Sequence, residues 1–396
     1  MTWVGAIHVR NKVKRMSIRR SGWICLIALS LCGGFAQQNG PAGGPKPAAA
    51  PAGGADRRIT LDVVVNDKAG KPVTGLEQGD LSLFDDKQPL SIVSFRSVEG
   101  GVAKNNPPAE VVLLLDEMNA PFAKVTEARE QIKKFLQKYN GELPVPISMG
   151  YFSYEGIKML DSPTRDGNAL LASIERGKNA LRAPPPGQGA YGAFDRRQAA
   201  LQGLGQVVNT VSARPGRKLV IWISPGWPLL IGPHVELSAK DRQWIFDAVV
   251  ALSSGLRQAG ISLYQVDPLG PADVSGGTES YSIAGAAQSS YSIAGGAQTS
   301  YALGYVKGVR SPKQVANADL SLQVLAVQSG GQILNANNDI AGELAMCVAD
   351  ATAYYSVSFD GPAASGPNDY HALEVKLAKP GLTARTRTGY YSRPAR

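Results

Sequence analysis

Asp116, Glu117 and Asn119 place three oxygen-bearing side chains directly after an unbroken apolar run, Val111 to Leu115. Two kinds of chemistry are open to such a group. Together the side chains could hold a hard cation weakly, through water, because such ions take oxygen ligands. Alternatively, Asp116 is a strand-end acid that accepts backbone N–H groups from the start of the following helix, with Asn119 serving the turn that Pro121 completes. The structural role is the expectation for Asp116, and no metal ligand is assigned.

The other chemical constellations are thin. Gly187-Gln-Gly-Ala-Tyr-Gly192 has the spacing of a dinucleotide fingerprint and precedes a helical pattern. Pro184-Pro185-Pro186 stands before it where that fingerprint needs a strand, so no cofactor is expected. There is no Gly-x-Ser-x-Gly elbow and no His-Glu-x-x-His. Outside the N-terminal segment only His234 and His371 remain, in different expected domains, and no catalytic residue is assigned. Cys347 falls in step with Ile340, Leu344, Val348 and Ala351 on one helical stripe, the pattern of a core thiol. Proline-braced and glycine-flanked aromatics are more informative: Phe122 follows Pro121, Tyr191 lies in the Gly-rich loop, and Trp227 lies between Gly226 and Pro228. Rigid aromatics lose little entropy on binding, so Asn119, Phe122, Tyr191 and Trp227 are the expected interface residues. Packing of Trp227 against its own loop is the alternative.

The elements that position these residues read as alternating strands and helices, which argues for a mainly parallel sheet. The apolar run ending at Asp116 is a strand buried on both faces. Helices are expected over 121–139, 193–211, 240–259 and 315–327, the third opened by Ser238-x-x-Asp241 as a capping box. Phe194, Leu201, Leu204, Val208 and Val211 mark the apolar face of the second. Strands are expected over 147–152, 218–223, 261–266 and 332–334. Both ends of the chain read as β: Ile59, Leu61, Val63 and Val65 alternate, and further strands follow over 81–84, 92–95, 354–359, 372–377 and 383–391. Neither end alone makes a sufficient core, so the two are expected to form one β-sandwich with an α/β domain inserted between them.

Several motifs together carry a family resemblance: Val63-Val64-Val65-Asn66-Asp67 with Gly75-Leu76 and Asp80, Leu115-Asp116 with Asn119 and Pro121, Gly216-Arg217-Lys218, and Thr388-Gly389-Tyr390-Tyr391. With the order of elements from 110 to 350, they resemble a von Willebrand factor A domain. More closely, they are similar to the von Willebrand factor A-related secreted proteins of acidobacteria. The resemblance implies a Rossmann-like fold and an exported protein rather than any activity. It also implies where a magnesium site would lie: an Asp-x-Ser-x-Ser loop, a Thr from a second loop and an Asp from a third. Here Asp116 fits the first position, Met118 and Ala120 occupy both serine positions, and Pro225 stands where the Asp would fall. The loop 187–193 contains no Thr. A degenerate metal site is the expectation.

The expected organisation is a signal peptide over 1–36, a Gly/Pro/Ala-rich linker over 37–57, sandwich segments over 58–105 and 353–392, and the A-like domain over 106–352. Within the last, 268–312 reads as an insertion bearing a ten-residue repeat, Tyr281-Ser-Ile-Ala-Gly and Tyr291-Ser-Ile-Ala-Gly with a stub at Tyr301. The signal has a basic stretch, an apolar run from Trp23 to Leu31 too short to span a bilayer, and Gly34-Phe35-Ala36 at the cleavage positions; Met16 is an alternative start. The chain carries 41 basic and 32 acidic residues, and removing the six basic residues of the signal lowers the net charge from +9 to +3. No local basic run remains, so a nucleic-acid partner is not expected. The expected function is that of a secreted or envelope-bound module that recognises a protein or envelope partner without catalysis. A secreted, carboxylate-dependent hydrolase with its site between the two domains is the alternative.

Overall fold

The computed structural model describes residues 57–100, 109–160, 162–176, 189–227, 236–270, 306, 308–335, 338–362, 366 and 368–392. The expected signal, nearly all of the linker, the tyrosine repeat, Gly187, Pro228 and His234 lie outside these residues.

Seven strands form the central sheet, in the order β11-β10-β9-β5-β6-β7, with β8 also on β6. These are β5 (Glu110–Asp116), β6 (Glu142–Ser153), β7 (Gly156–Met159), β8 (Thr164–Asp166), β9 (Lys218–Ile223), β10 (Ile261–Val266) and β11 (Ile333–Leu334). The five strands from β11 to β6 run parallel, while β7 and β8 pair antiparallel with β6. Every residue of β5, β9 and β10 is buried, as continuous apolar strands covered on both faces must be.

Helices supply the two covers. On one face α1 (Phe122–Gln137), α2 (Gly167–Arg176) and the C-terminal helix Ile340–Thr352 enclose Leu113, Leu115, Ile132, Phe135 and Cys347. On the other, α3 (Gly189–Ser212), α4 (Ala239–Gln258) and α5 (Leu322–Gln328) enclose Leu114, Phe152, Trp222 and Trp227. The helix Ile340–Thr352 is α6. Ser238 caps α4 by accepting from the Asp241 N–H while Asp241 reaches back to the Ser238 N–H, as its sequence requires. The helix expected over 315–327 is shorter. Asp319 accepts from the Ala316 N–H, and Ser321 caps the helix through the Val324 N–H, so a 3-10 turn precedes α5.

Two antiparallel sheets of four strands each come from both ends of the chain. One has the order β14-β1-β12-β4 and the other β15-β13-β2-β3. The members are β1 (Arg58–Asn66), β2 (Leu81–Asp85), β3 (Gln88–Leu90), β4 (Ser94–Val98), β12 (Tyr354–Asp360), β13 (Tyr370–Leu377), β14 (Thr383–Arg385) and β15 (Gly389–Tyr391). They share a core of Leu61, Val63, Leu81, Leu83, Tyr355, Val357 and Phe359. The single strand expected over 383–391 is divided between the two sheets. Arg387, at the division, is buried and donates to the Leu256 and Ile261 carbonyls rather than to a strand neighbour. No helix among the described residues is long and apolar enough to cross a membrane.

Candidate functional site

Helices that lead into or out of a parallel strand start at the sheet's C-terminal edge, where open α/β sheets gather their binding groups. Asp116 stands at this edge with no exposed surface. Its Oδ1 accepts the Met118 N–H (2.9 Å) and the Asn119 N–H (2.8 Å). Its Oδ2 accepts Asn119 Nδ2 (2.9 Å) and the Ser224 hydroxyl (2.7 Å). The donors lie in the loop and across the sheet, not in the first turn of α1, where Pro121 takes the N-cap position. Burial raises the Asp116 carboxyl above its ordinary range, and the four donors oppose that rise. Ser224 is held in turn by the Gly226 N–H (3.1 Å), and Gln265 donates to the Ser224 carbonyl (2.9 Å).

The donor set does not fit a hard divalent ion. Met118 packs among Trp222 and Trp227 on one face of the sheet, and Ala120 packs beside Val125 on the other. Glu117 is paired with Arg129 at 3.4 Å, itself 5.1 Å from the Tyr151 ring centre. Among the described residues, no donor reaches the buried Asn119 Oδ1. Among the described residues, one neutral oxygen beside a fully engaged carboxylate falls well short of the roughly six oxygens such an ion requires.

The expected interface residues separate. Phe122 is 53% exposed and Asn119 partly so. Tyr191 lies in the first turn of α3, its side chain outside the described residues. Trp227 needs correction: it is 4% exposed and meets Trp222 edge to face at 5.2 Å, so it braces the loop from within. The expected apolar face of α3 also changes. Ala200, Leu201, Leu204, Val207 and Val211 are buried, whereas Phe194 is 41% exposed.

Phe194 is part of a group that sequence reasoning missed. Trp244, in the second turn of α4, is 44% exposed. Between them stands Arg197, 5% exposed, whose guanidinium lies 5.6 Å from the Phe194 ring centre and 5.9 Å from that of Trp244. Arg197 also donates to Asn317 Oδ1 at 3.2 Å. A buried cation under two rings holds them at the surface by cation–π attraction, worth about 0.5–2 kcal/mol per ring. The available signal was a Trp among polar neighbours, Asp241 to Gln243, on the side of α4 away from Phe246 and Val249.

Several titrating groups shift the same way. Burial raises Glu117 to about 7 and Asp267 and Asp319 each to about 6. His371 is raised by its hydrogen bond to Asp85. A carboxylate raised on folding keeps a proton that the unfolded chain has released, so stability falls as pH rises between the two values. For His371, stability present below its ordinary value is lost as pH rises through the raised one. All four act in the same sense, so Tm at pH 5 should exceed Tm at pH 8 by roughly several degrees. Glu117→Gln should flatten the profile; a Tm that rises over this interval would contradict it.

No protein-family model matches the chain, and no curated protein matches it. Solved structures do show similarity. The pilus adhesin SpaC from Lactobacillus rhamnosus GG, in an open conformation, is 12% identical with a TM-score of 0.36, covering 84% of this chain and 48% of that one. The PilB minor pilin from Streptococcus sanguinis is 9% identical with a TM-score of 0.28, covering 42% and 51%. The SpRpn10 VWA domain is 10% identical with a TM-score of 0.25, covering 40% and 74%. The chain thus spans about half the length of the two pilus proteins.

Proposed function

We propose that this protein is an exported recognition module that binds a protein or envelope partner through the C-terminal edge of its parallel sheet, without obligatory metal and without catalysis. The observation that carries the reading is the pair of exposed rings, Phe194 and Trp244, held over the buried Arg197. Exposing large aromatics costs solvation, and aromatic anchors beside Arg are typical of interface hot spots. Phe122 stands at the same edge over the opposite face of the sheet. Asp116, with both oxygens engaged, serves as a strut for the loop that carries Asn119 and Phe122.

The hydrolase alternative asks for two carboxylates facing each other in the cleft between the sandwich and the α/β part. Among the described residues, that cleft is lined by several arginines and a single acid, Asp62. Capture from the host's envelope and culture fluid tests the proposal. A partner retained by the protein and lost with Phe194→Ala/Trp244→Ala supports it. A partner held equally by both would move the interface elsewhere.

A further inference from the structure

A two-residue turn on the sandwich brings two adjacent carboxylates to an imidazole. Asp85 ends β2 and pairs with Gln88, which opens β3, so Asp86 and Lys87 form the whole turn. Both take positive φ, 46° and 69°, as the twist of a tight hairpin requires. Strand β13 lies alongside, with Leu373 opposite Asp85. The Asp86 N–H donates to the Ala372 carbonyl at 2.8 Å, and Asp86 Oδ1 accepts the Ala372 N–H at 3.4 Å. These contacts set the turn beside His371. Asp85, Asp86 and His371 each bring one ligand atom within 4.8 Å of the other two.

The spacing inside this group is that of ligands sharing one ion. His371 Nδ1 lies 3.2 Å from each of the two Asp85 oxygens. A single charge-assisted hydrogen bond would close on one oxygen at about 2.7–2.9 Å. Bonds of about 2.0–2.1 Å to a tetrahedral zinc ion instead set neighbouring ligand atoms roughly 3.3–3.4 Å apart. The first two ligands are also held in place. The His371 ring stacks on Tyr390, with centres 4.8 Å apart and planes 8° from parallel. Tyr390 in turn donates its hydroxyl to Asp85 Oδ2 at 2.8 Å, and Asp85 is buried. Outer contacts of this kind orient metal ligands. Among the described residues His371 Nε2 has no hydrogen-bond partner, so the stacking sets the ring.

The geometry points to a zinc site in which Asp85, Asp86 and Nδ1 of the neutral His371 ring hold the ion and water completes the tetrahedron. The imidazole nitrogen selects this class of ion, because magnesium and calcium take oxygen ligands and more of them. Arg310 pairs with Asp86 and would give it up to the ion. Both side chains are exposed, so the pair contributes little, and Arg310 keeps its bond to the Tyr370 carbonyl at 2.8 Å. The site belongs to the sandwich and shares no residue with the recognition edge.

Calorimetric titration of the chelator-treated protein with zinc chloride tests the inference, with magnesium chloride as the competing ion. Saturable binding of one zinc ion per chain is expected, and magnesium in excess should not displace it. Asp86→Asn and His371→Gln should each weaken zinc binding by at least about tenfold, because losing a ligand costs no less than losing an outer contact. Asn tolerates positive φ as Asp does, so Asp86→Asn keeps the turn, and an unchanged Tm of this variant without metal separates a lost ligand from a lost fold. His234→Gln, at the other histidine outside the N-terminal segment, should leave the affinity unchanged. No saturable zinc binding, displacement by magnesium, binding untouched by Asp86→Asn, or equal weakening by His234→Gln would each overturn the inference.

Discussion

Asp116→Ala should lower the unfolding free energy by about 3 kcal/mol and Tm by roughly 5–10 °C, whether magnesium is present or not. The carboxylate has no exposed surface and accepts four hydrogen bonds, from two loop N–H groups, the Asn119 amide and the Ser224 hydroxyl. Truncation leaves those donors in a site too closed for bulk water to reach. Each stranded buried donor costs about 1–3 kcal/mol, and partial relaxation of the loop recovers some of the total. Asp116→Asn keeps the volume and one acceptor oxygen, so its loss should be about half as large. Thermal unfolding with magnesium and with chelator distinguishes the roles. If either variant were harmful only when magnesium is present, Asp116 would be a metal ligand and the account of the loop would be wrong.

Arg385→Met should be comparably damaging, at about 3 kcal/mol, because it takes the partly buried cation away from the buried Asp350 carboxylate and breaks the charge link between sandwich and sheet. Arg385, on β14, donates to the Tyr264 hydroxyl and the Gly330 carbonyl, at 3.0 and 3.1 Å, and pairs with Asp350 on α6. Tyr264 is fully buried and donates to Asp350 at 3.0 Å. Without Arg385 the Asp350 carboxylate keeps the Tyr264 hydroxyl as partner but loses its cation. The double variant Arg385→Met/Asp350→Leu removes both charges. It should therefore be less damaged than the two single losses together, with a coupling of about 2 kcal/mol in urea unfolding. Strict additivity would show that the pair does not join the two parts.

The sequence made this framework legible where one local rule decides an element. The alternation of Ile59, Leu61, Val63 and Val65 fixes which face of β1 meets the sandwich core, and all four are buried. The unbroken apolar run of β5 announces a strand covered twice. Ser238 and Asp241 announce the start of α4. The failures share a different cause, a buried polar contact or a distant neighbour overriding a local pattern. Arg387 turns to the carbonyls after α4 and before β10, which divides what reads as one strand into β14 and β15. Phe194 keeps helical spacing with Leu201, yet Arg197 draws it to the surface, where it meets the cation rather than the core. Trp227 looks like an exposed anchor between glycine and proline, but Trp222 on the neighbouring strand offers a ring to pack against. The two carboxylates of the β2–β3 turn give no local sign of a ligand group, because His371 meets them only in the fold.

The most direct test of the recognition edge is the affinity of its captured partner, measured by titration for the protein and for Phe194→Ala/Trp244→Ala, each with magnesium and with chelator. The expected Kd is the same in both buffers, and weaker by at least about 30-fold in the variant, as truncating two hot-spot aromatics implies. An affinity abolished by chelator yet untouched by the variant would contradict the account, placing recognition at a metal in the Asp116 loop instead.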